Sequence, residues 1–171
     1  MTQTTTLPEV EQLIAQLADQ LKQYISDKQL DQIAMVGIHS GGVWIAERLH
    51  QLLQHDEALG ALDISFYRDD YTRVGLNPNV KSSNLPFATE GRHIVLVDDV
   101  IMSGRTIRAA MNELFDYGRP ASITLVTLLD LPGRELPIQP DLCAQTLDLA
   151  PGERIKLTGP DNMTLELQNA E

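Results

Sequence analysis

The chain has 171 residues, of which 43% are hydrophobic and 22% charged, the composition of an ordinary soluble globular domain. No apolar run approaches the roughly 18 residues that a membrane span requires, and the single Cys143 excludes an intrachain disulfide. The net charge of −11 argues against a protein that grips nucleic acid through its overall field.

The N-terminal sequence has neither the basic start nor the apolar stretch of a signal peptide, so we expect a cytoplasmic protein. Charge is unevenly distributed along the chain. Between Arg68 and Arg134 eight basic residues balance eight acidic ones, and the remainder of the chain accounts for the whole excess of acid. This neutral window is consistent with an anionic substrate.

Helices and strands are predicted in alternation along the chain. Apolar residues recur at helical spacing or in short β-rich runs, with Thr6 as a candidate cap of the first helix. The predicted elements are a helix over Leu7–Ser26, a strand over Ile33–Ile38, a helix over Val43–Gln54, a strand over Leu62–Tyr67, a polar loop over 68–91, a strand over 94–98, a helix over Thr106–Asp116 and a strand over Ser122–Leu129.

After Asp130 prolines and glycines interrupt the pattern, and the region is expected to be irregular. Two short apolar runs, Ile155–Leu157 and Thr164–Leu167, predict a closing hairpin. Alternating strands and helices favour an α/β fold with a mainly parallel central sheet flanked by helices. Without repeats or a linker, residues 1–171 are expected to form one domain.

The segment 94–106 carries the most specific chemistry. A buried parallel strand, Ile94–Val97, is followed by Asp98 and Asp99 and by a loop with one glycine, Gly104. Ligands of open α/β sheets bind where strands end and helices begin, and the amides there suit a phosphate. Two acids next to such a site suit ribose hydroxyls, with Mg²⁺ nearby. The segment predicts a phosphorylated sugar; the alternative is an ordinary strand–turn–helix connection.

Four strand ends are expected to line a single crevice, because parallel strands end along the same edge of a sheet. Two of these ends have structural alternatives. The glycines after the first strand allow a ligand close to the backbone or make a plain tight turn. The cations of the predicted polar loop are Arg68, Arg73 and Lys81. They are expected either to close over a di- or triphosphate or to be solvated without a specific role. The four groups are His39–Gly42, Arg68–Asp70, Asp98–Asp99 and Asp130.

The segment 94–106 also resembles the phosphoribosyl pyrophosphate (PRPP) signature of type I phosphoribosyltransferases. Further blocks resemble the PyrR family, pyrimidine operon regulators that are also uracil phosphoribosyltransferases. The resemblance runs from about Ile33 to Leu157, and its blocks are 62–70, 84–87, 105–111, 118–121 and 133–138.

The resemblance implies a type I phosphoribosyltransferase fold with a small hood, formed by about residues 129–157 and the chain termini. The implied reaction converts uracil and PRPP to UMP and pyrophosphate, with Mg²⁺ bound together with PRPP. The implied partners are uracil, PRPP, UMP and UTP, pyrimidine-operon leader RNA and further copies of the chain in a homodimer or homotetramer. The net charge of −11 disfavours the RNA partner.

The resemblance also assigns site residues. Asp98 and Asp99 hold the ribose hydroxyls, and Ser40 and Gly41 form the pyrophosphate loop. Asp99 takes part in catalysis together with two cations of the polar loop, Arg68 and Lys81. Leu131 lies next to the base and Ile155 closes the nucleotide pocket. The 5′-phosphate is wrapped by seven consecutive residues, Val100, Ile101, Met102, Ser103, Gly104, Arg105 and Thr106.

The chain departs from the family pattern in two places. The family's Arg-Thr-Arg-Gly loop is His39–Gly42 here, and the segment after Asp130 lacks a further arginine and a histidine. These losses keep a second hypothesis open, a nucleotide-sensing regulator with weak or absent catalytic activity. A purine or xanthine phosphoribosyltransferase is a third hypothesis, which the blocks 62–70 and 133–138 disfavour.

Overall fold

A computed structural model describes residues 7–64 and 83–169 of the chain. This part contains three helices, α1 (Val10–Lys28), α2 (Gly41–Leu53) and α3 (Arg105–Asp116). Its strands are β1 (Ile33–Ile38), β2 (Gly60–Leu62), β3 (His93–Ile101), β4 (Ser122–Asp130), β5 (Leu142–Thr146), β6 (Glu153–Thr158) and β7 (Thr164–Asn169).

The first five strands form one sheet in the order β2-β1-β3-β4-β5, and every pairing in it is parallel. β6 and β7 form a separate antiparallel hairpin. The structure therefore confirms the α/β fold with a mainly parallel central sheet and the closing hairpin. β1 and β3 lie side by side but are joined through α2 and β2. The strand order therefore reverses between β1 and β3, which makes this pair the topological switch point of the sheet.

The sheet is covered on both faces, which explains the nearly continuous apolar runs of its central strands. Alternate residues of β3 face opposite ways: Val95 and Val97 pack with α1 and α2, whereas Ile94 and Leu96 pack with α3. No helix of the described residues is long and apolar enough to cross a membrane.

α1 and the C-terminal hairpin both lie on the face of the sheet that α2 covers. Gln16 of α1 donates a side-chain hydrogen bond to the carbonyl of Ala144 in β5, at 3.0 Å. In the hairpin, Leu157 is buried in the same cluster as α1 and α2. Gly159 lies so close to Trp44 of α2 that an added Cβ would be 3.0 Å from the indole ring.

Several predicted boundaries differ from the structure. α1 begins at Val10 rather than Leu7, with Glu9 as its N-cap, and Thr6 lies outside the described residues. α2 begins two residues earlier than predicted, at Gly41, and α3 one residue earlier, at Arg105. β2 covers Gly60–Leu62 instead of Leu62–Tyr67, whose last three residues lie outside the described part.

Two strand predictions need a larger correction. β3 does not end at Asp98 but runs through Ile101, because Asp98, Val100 and Ile101 all continue to pair with β4. The region after Asp130 is not wholly irregular either. It contains β5, which pairs with β4 and forms one edge of the sheet.

Candidate active site

Three adjacent strands end on the same side of the sheet and bring three of the four predicted groups together. β1 ends two residues before Ser40, and β3 carries Asp98 and Asp99 near its C-terminal end. β4 ends at Asp130. The register pairs Asp98 with Thr127 and Ile101 with Asp130. The fourth group, Arg68–Asp70, and the candidate cation Lys81 lie outside the described residues.

The two carboxylates of β3 are held by local hydrogen bonds. Oδ1 of Asp98 accepts from the N–H of Asp99, and Oδ1 of Asp99 accepts from the N–H of Val100, both at 2.8 Å. Asp98 is buried, and Asp99 is half-buried. Because a carboxylate can accept several hydrogen bonds, the fixed Oδ1 of Asp99 leaves this group able to receive hydroxyl donors in a set orientation.

The start of α2 lies directly against these acids. A Cβ at Gly41 would be 2.3 Å from Oδ2 of Asp99, and one at Gly42 would be 2.6 Å from the carbonyl oxygen of Val97. Glycine at position 42 therefore lets the helix approach the backbone of β3 this closely, and glycine at position 41 leaves room for the Asp99 side chain. The start of α2 therefore lies next to the Asp99 carboxylate, and the role of this connection in ligand binding stays a prediction.

The connection from β3 to α3, Met102–Gly104, encloses a small concave cavity of about 80 Å³. Gly104 has φ of +94° and forms the N-cap of α3, a conformation that favours glycine. The lining residues are Val100, Ile101, Met102, Ser103, Gly104, Thr106 and Ile107. Six of the seven residues predicted around the 5′-phosphate thus contribute to one cavity at a helix N-terminus, where N–H groups attract anions.

The seventh predicted phosphate residue, Arg105, is exposed and points to a different partner. Its Nε donates to Oε2 of Glu135 at 2.6 Å. Two other predicted residues are also placed by the structure. Leu131 is buried and its N–H donates to the carbonyl of Ile101 at 2.9 Å, and Ile155 of β6 is half-buried against the α1–α2 cluster.

Sequence reasoning placed Leu131 at the site but gave no role to residues 134–136, which contact the Met102–Gly104 connection. Arg134 donates from Nη1 to the carbonyl of Met102 at 2.7 Å and from Nη2 to Oδ1 of Asp130 at 2.8 Å. The backbone N–H groups of Glu135 and Leu136 both donate to the carbonyl of Ser103. The block 133–138 was the available signal, since it carries part of the family resemblance.

A second group of contacts surrounds Arg92 at the N-terminal ends of β1 and β3. Arg92 donates to the carbonyls of Gln32 and Ile33 and forms an ion pair with Glu57. The hydrogen bond from Arg92 lowers the pKa of the Glu57 carboxyl below its usual value. These contacts join the starts of β1 and β3 to the connection between α2 and β2, and their role is structural.

Comparison with known proteins agrees with this geometry. The sequence matches the phosphoribosyl transferase domain family over residues 2–146. It is 56% identical over 161 residues to "Bifunctional protein PyrR" of Pseudomonas paraeruginosa, covering 94% of this chain and 95% of that protein. It is 55% identical over 164 residues to "Bifunctional protein PyrR" of Pseudomonas savastanoi pv. phaseolicola, covering 96% of both. The chain belongs to the PyrR family of phosphoribosyltransferases.

Solved structures similar to this PyrR-family chain show the same fold. A hypoxanthine-guanine phosphoribosyltransferase of Bacillus anthracis aligns with a TM-score of 0.69 over 89% of this chain and 86% of its own, at 22% identity. A purine phosphoribosyltransferase of Pyrococcus horikoshii aligns with a TM-score of 0.60 over 88% and 92%, also at 22% identity. The predicted family and the type I phosphoribosyltransferase fold are therefore confirmed.

Proposed function

We propose that this chain is a uracil phosphoribosyltransferase that also regulates pyrimidine operons in response to uridine nucleotides. One observation carries the enzymatic part. The Asp98–Asp99 pair lies between the close-packed start of α2 and the cavity at the start of α3. This arrangement provides acceptors for ribose hydroxyls between two clusters of backbone amides, as a sugar with phosphates at both ends requires.

In this proposal each part of PRPP has its own binding group. The Met102–Gly104 connection and Thr106 bind the 5′-phosphate through amides and a hydroxyl. Asp98 and Asp99 accept hydrogen bonds from the ribose hydroxyls. Ser40 and Gly41 receive the pyrophosphate at the start of α2. Uracil lies near Leu131, and Ile155 closes the pocket.

The residues also fit a Mg²⁺ ion that arrives with PRPP. Mg²⁺ binds one or two carboxylates together with phosphate oxygens of the substrate and retains several waters. Asp99 is half-buried, and its Oδ2 lies against Gly41, where the pyrophosphate is proposed to bind. Asp98 and Asp99 would therefore hold the ion. When bound, Mg²⁺ neutralises the charge of the leaving pyrophosphate.

The protein contributes orientation and charge stabilisation rather than a covalent step. Transfer of the ribose passes through an oxocarbenium-like state: the C1–O bond to pyrophosphate breaks as N1 of uracil bonds to C1, and the N1 proton is lost to the departing pyrophosphate or to water. Asp99 stabilises this cationic state, and Arg68 and Lys81 stabilise the departing pyrophosphate. UMP and pyrophosphate are the products.

The test is release of pyrophosphate from PRPP and Mg²⁺ with uracil, guanine, hypoxanthine, adenine or orotate as the acceptor. We expect turnover with uracil. Asp99→Asn should lower kcat at least roughly a hundredfold, because a neutral amide no longer stabilises the cationic transition state. The matched control is Asp116→Asn at the exposed end of α3, which should retain full activity. Absence of turnover with every base would overturn the enzymatic proposal.

One observation favours a second candidate, a nucleotide-sensing regulator with weak turnover. The family's arginine in the pyrophosphate loop is replaced by Gly41, and the Asp99 carboxylate occupies the space into which any side chain at position 41 would extend. The start of α2 therefore offers pyrophosphate amides without a cation. Binding of UMP or UTP in calorimetry together with absent turnover would favour this candidate over the enzyme.

A further inference from the structure

Two carbonyls of the Met102–Gly104 connection, those of Met102 and Ser103, are turned towards one segment of the chain. The carbonyl of Met102 accepts from Nη1 of Arg134 at 2.7 Å. The carbonyl of Ser103 accepts from the N–H groups of Glu135 at 3.0 Å and of Leu136 at 3.1 Å. We call residues Arg134–Leu136 the brace.

This orientation determines where the amides of the same peptides point. In a trans peptide the N–H lies opposite the carbonyl of the preceding residue, and the bonds between Met102, Ser103 and Gly104 are trans. The N–H groups of Ser103 and Gly104 therefore point away from the brace. Within residues 7–64 and 83–169 neither of them donates to a protein acceptor. Both residues line the 80 Å³ cavity, whereas the brace does not.

Arg134 is suited to this task because its guanidinium has two donors in a fixed fork. One donor binds the carbonyl of Met102, and the other binds Oδ1 of Asp130 at the end of β4, at 2.8 Å. The side chain is three-quarters buried, with 25% of its surface exposed. Asp130 neutralises the cation and fixes its position, so the fork holds the Met102–Ser103 peptide in one orientation.

We propose that Arg134 is a positioning residue for the phosphate, acting from behind the cavity without touching the ligand. It keeps the Met102 carbonyl turned away so that the Ser103 N–H faces the anion. Without it the peptide can rotate and present a carbonyl oxygen to the phosphate, which is repulsive. The inference rests on the proposed function, since the anion is the 5′-phosphate of PRPP or UMP.

The experiment compares wild type with Arg134→Gln in UMP calorimetry and in steady-state kinetics. We expect the Kd of UMP and the KM of PRPP to rise roughly tenfold, the effect of losing one charge-assisted hydrogen bond. The KM of uracil at saturating PRPP should change little, whereas the melting temperature should fall because Asp130 loses its ion pair. The matched control is Arg119→Gln, an exposed arginine after α3, which should leave all four quantities unchanged.

Two results would overturn the proposal: unchanged UMP and PRPP affinity in Arg134→Gln, or an equal rise in the KM of uracil, both measured at a temperature where the variant is folded. If Arg134→Gln does not fold, Arg134→Lys replaces it. Lysine keeps the charge but cannot reach Met102 and Asp130 together. A selective loss of UMP affinity in Arg134→Lys then supports the proposal, and wild-type affinity overturns it.

Ribose 5-phosphate separates this proposal from the proposed function. A wild-type protein that binds ribose 5-phosphate but neither turns over PRPP nor binds UMP refutes the uracil assignment alone. The brace is then judged by ribose 5-phosphate: weaker binding by Arg134→Gln than by Arg119→Gln supports it, and equal binding overturns it.

Discussion

The absence of a side chain at Gly41 leaves room for the carboxylate of Asp99. An added methyl group would lie 2.3 Å from Oδ2 of Asp99 and 2.8 Å from its Cγ. Its nearest neighbours all belong to this side chain, which can rotate away. At Gly42, by contrast, an added methyl group would meet the backbone of β3, including the Val97 carbonyl at 2.6 Å. Gly41 thus preserves the position of the Asp99 side chain, whereas Gly42 preserves the packing of α2 on β3.

We expect Gly41→Ala to fold with nearly wild-type stability and to lose activity. Rotation of Asp99 away from the ribose should lower kcat/KM for PRPP roughly tenfold to a hundredfold, as small displacements of positioned groups do. Gly42→Ala should instead lower the melting temperature, because α2 must move off β3. Kinetics and thermal unfolding of both variants provide the measurement. Full activity of Gly41→Ala, or equal destabilisation of the two variants, would contradict this account.

Cys143 illustrates a residue without a functional role. The structure places it half-buried in β5. Burial raises the pKa of its thiol above the usual value. At neutral pH the group is therefore a protonated, weakly reactive thiol rather than a nucleophile.

At the scale of elements, the hairpin β6–β7 depends on very few buried side chains. Leu157 is 4% exposed, while its neighbours Arg154 and Lys156 on the same strand are exposed. The hairpin lies against α2 at Trp44, the single tryptophan of the chain. Packing of the hairpin can therefore be followed through the fluorescence of one residue.

Leu157→Ala should destabilise the protein by about 2–4 kcal/mol, since it removes a buried side chain and leaves a cavity. Lys156→Ala, one residue earlier and exposed, should change the free energy of unfolding by less than about 0.5 kcal/mol. Urea unfolding followed by Trp44 fluorescence measures both. If Leu157→Ala were as stable as Lys156→Ala, the hairpin would not be part of the cooperative fold.

The sequence predicted the elements that carry strong apolar periodicity and missed those that tertiary pairing creates. β1, β4 and the hairpin follow from their residues. β5 does not, because Leu142–Thr146 is short, follows Pro137 and Pro140, and has only Ala144 fully buried. Likewise the sequence predicts that β3 ends at Asp98, and acids are poor strand formers. In the structure, pairing with β4 continues past both acids.

The candidate site divides in the same way. Its acids, glycines and helix start lie within short sequence motifs and were predicted from them. The brace was not, because its contact with Met102 and Ser103 joins residues about 30 positions apart, as for Arg134 and Met102. Nothing in the local pattern shows that the chain after β4 turns back onto the start of α3.

For the whole molecule, net charge disfavours non-specific binding of RNA. The chain carries −11, and four arginines of the described part are engaged in ion pairs with acids. Non-specific binding of RNA depends on cations that neutralise phosphates. Any regulatory contact with RNA must therefore come from a local surface that recognises a particular structure.

We expect scrambled RNA to bind with a Kd weaker than roughly 0.1 mM at physiological salt, the weak end of non-specific affinity. A pyrimidine-operon leader RNA should bind more tightly and respond to UMP if the regulatory proposal is right. Fluorescence anisotropy with both RNAs at two salt concentrations is the measurement. Equal affinity for the two RNAs would argue against specific regulation through RNA.

The hydrogen bond between Gln16 and Ala144 also bears on the order in which the protein can form during synthesis. It ties the first helix to the last strand of the central sheet across 128 residues. α1 leaves the ribosome early but cannot settle on this edge until β5 has emerged. Since Asp130 and the brace also come late, a growing chain has no complete site before that moment. The site is therefore completed only after the last strand of the central sheet can pair.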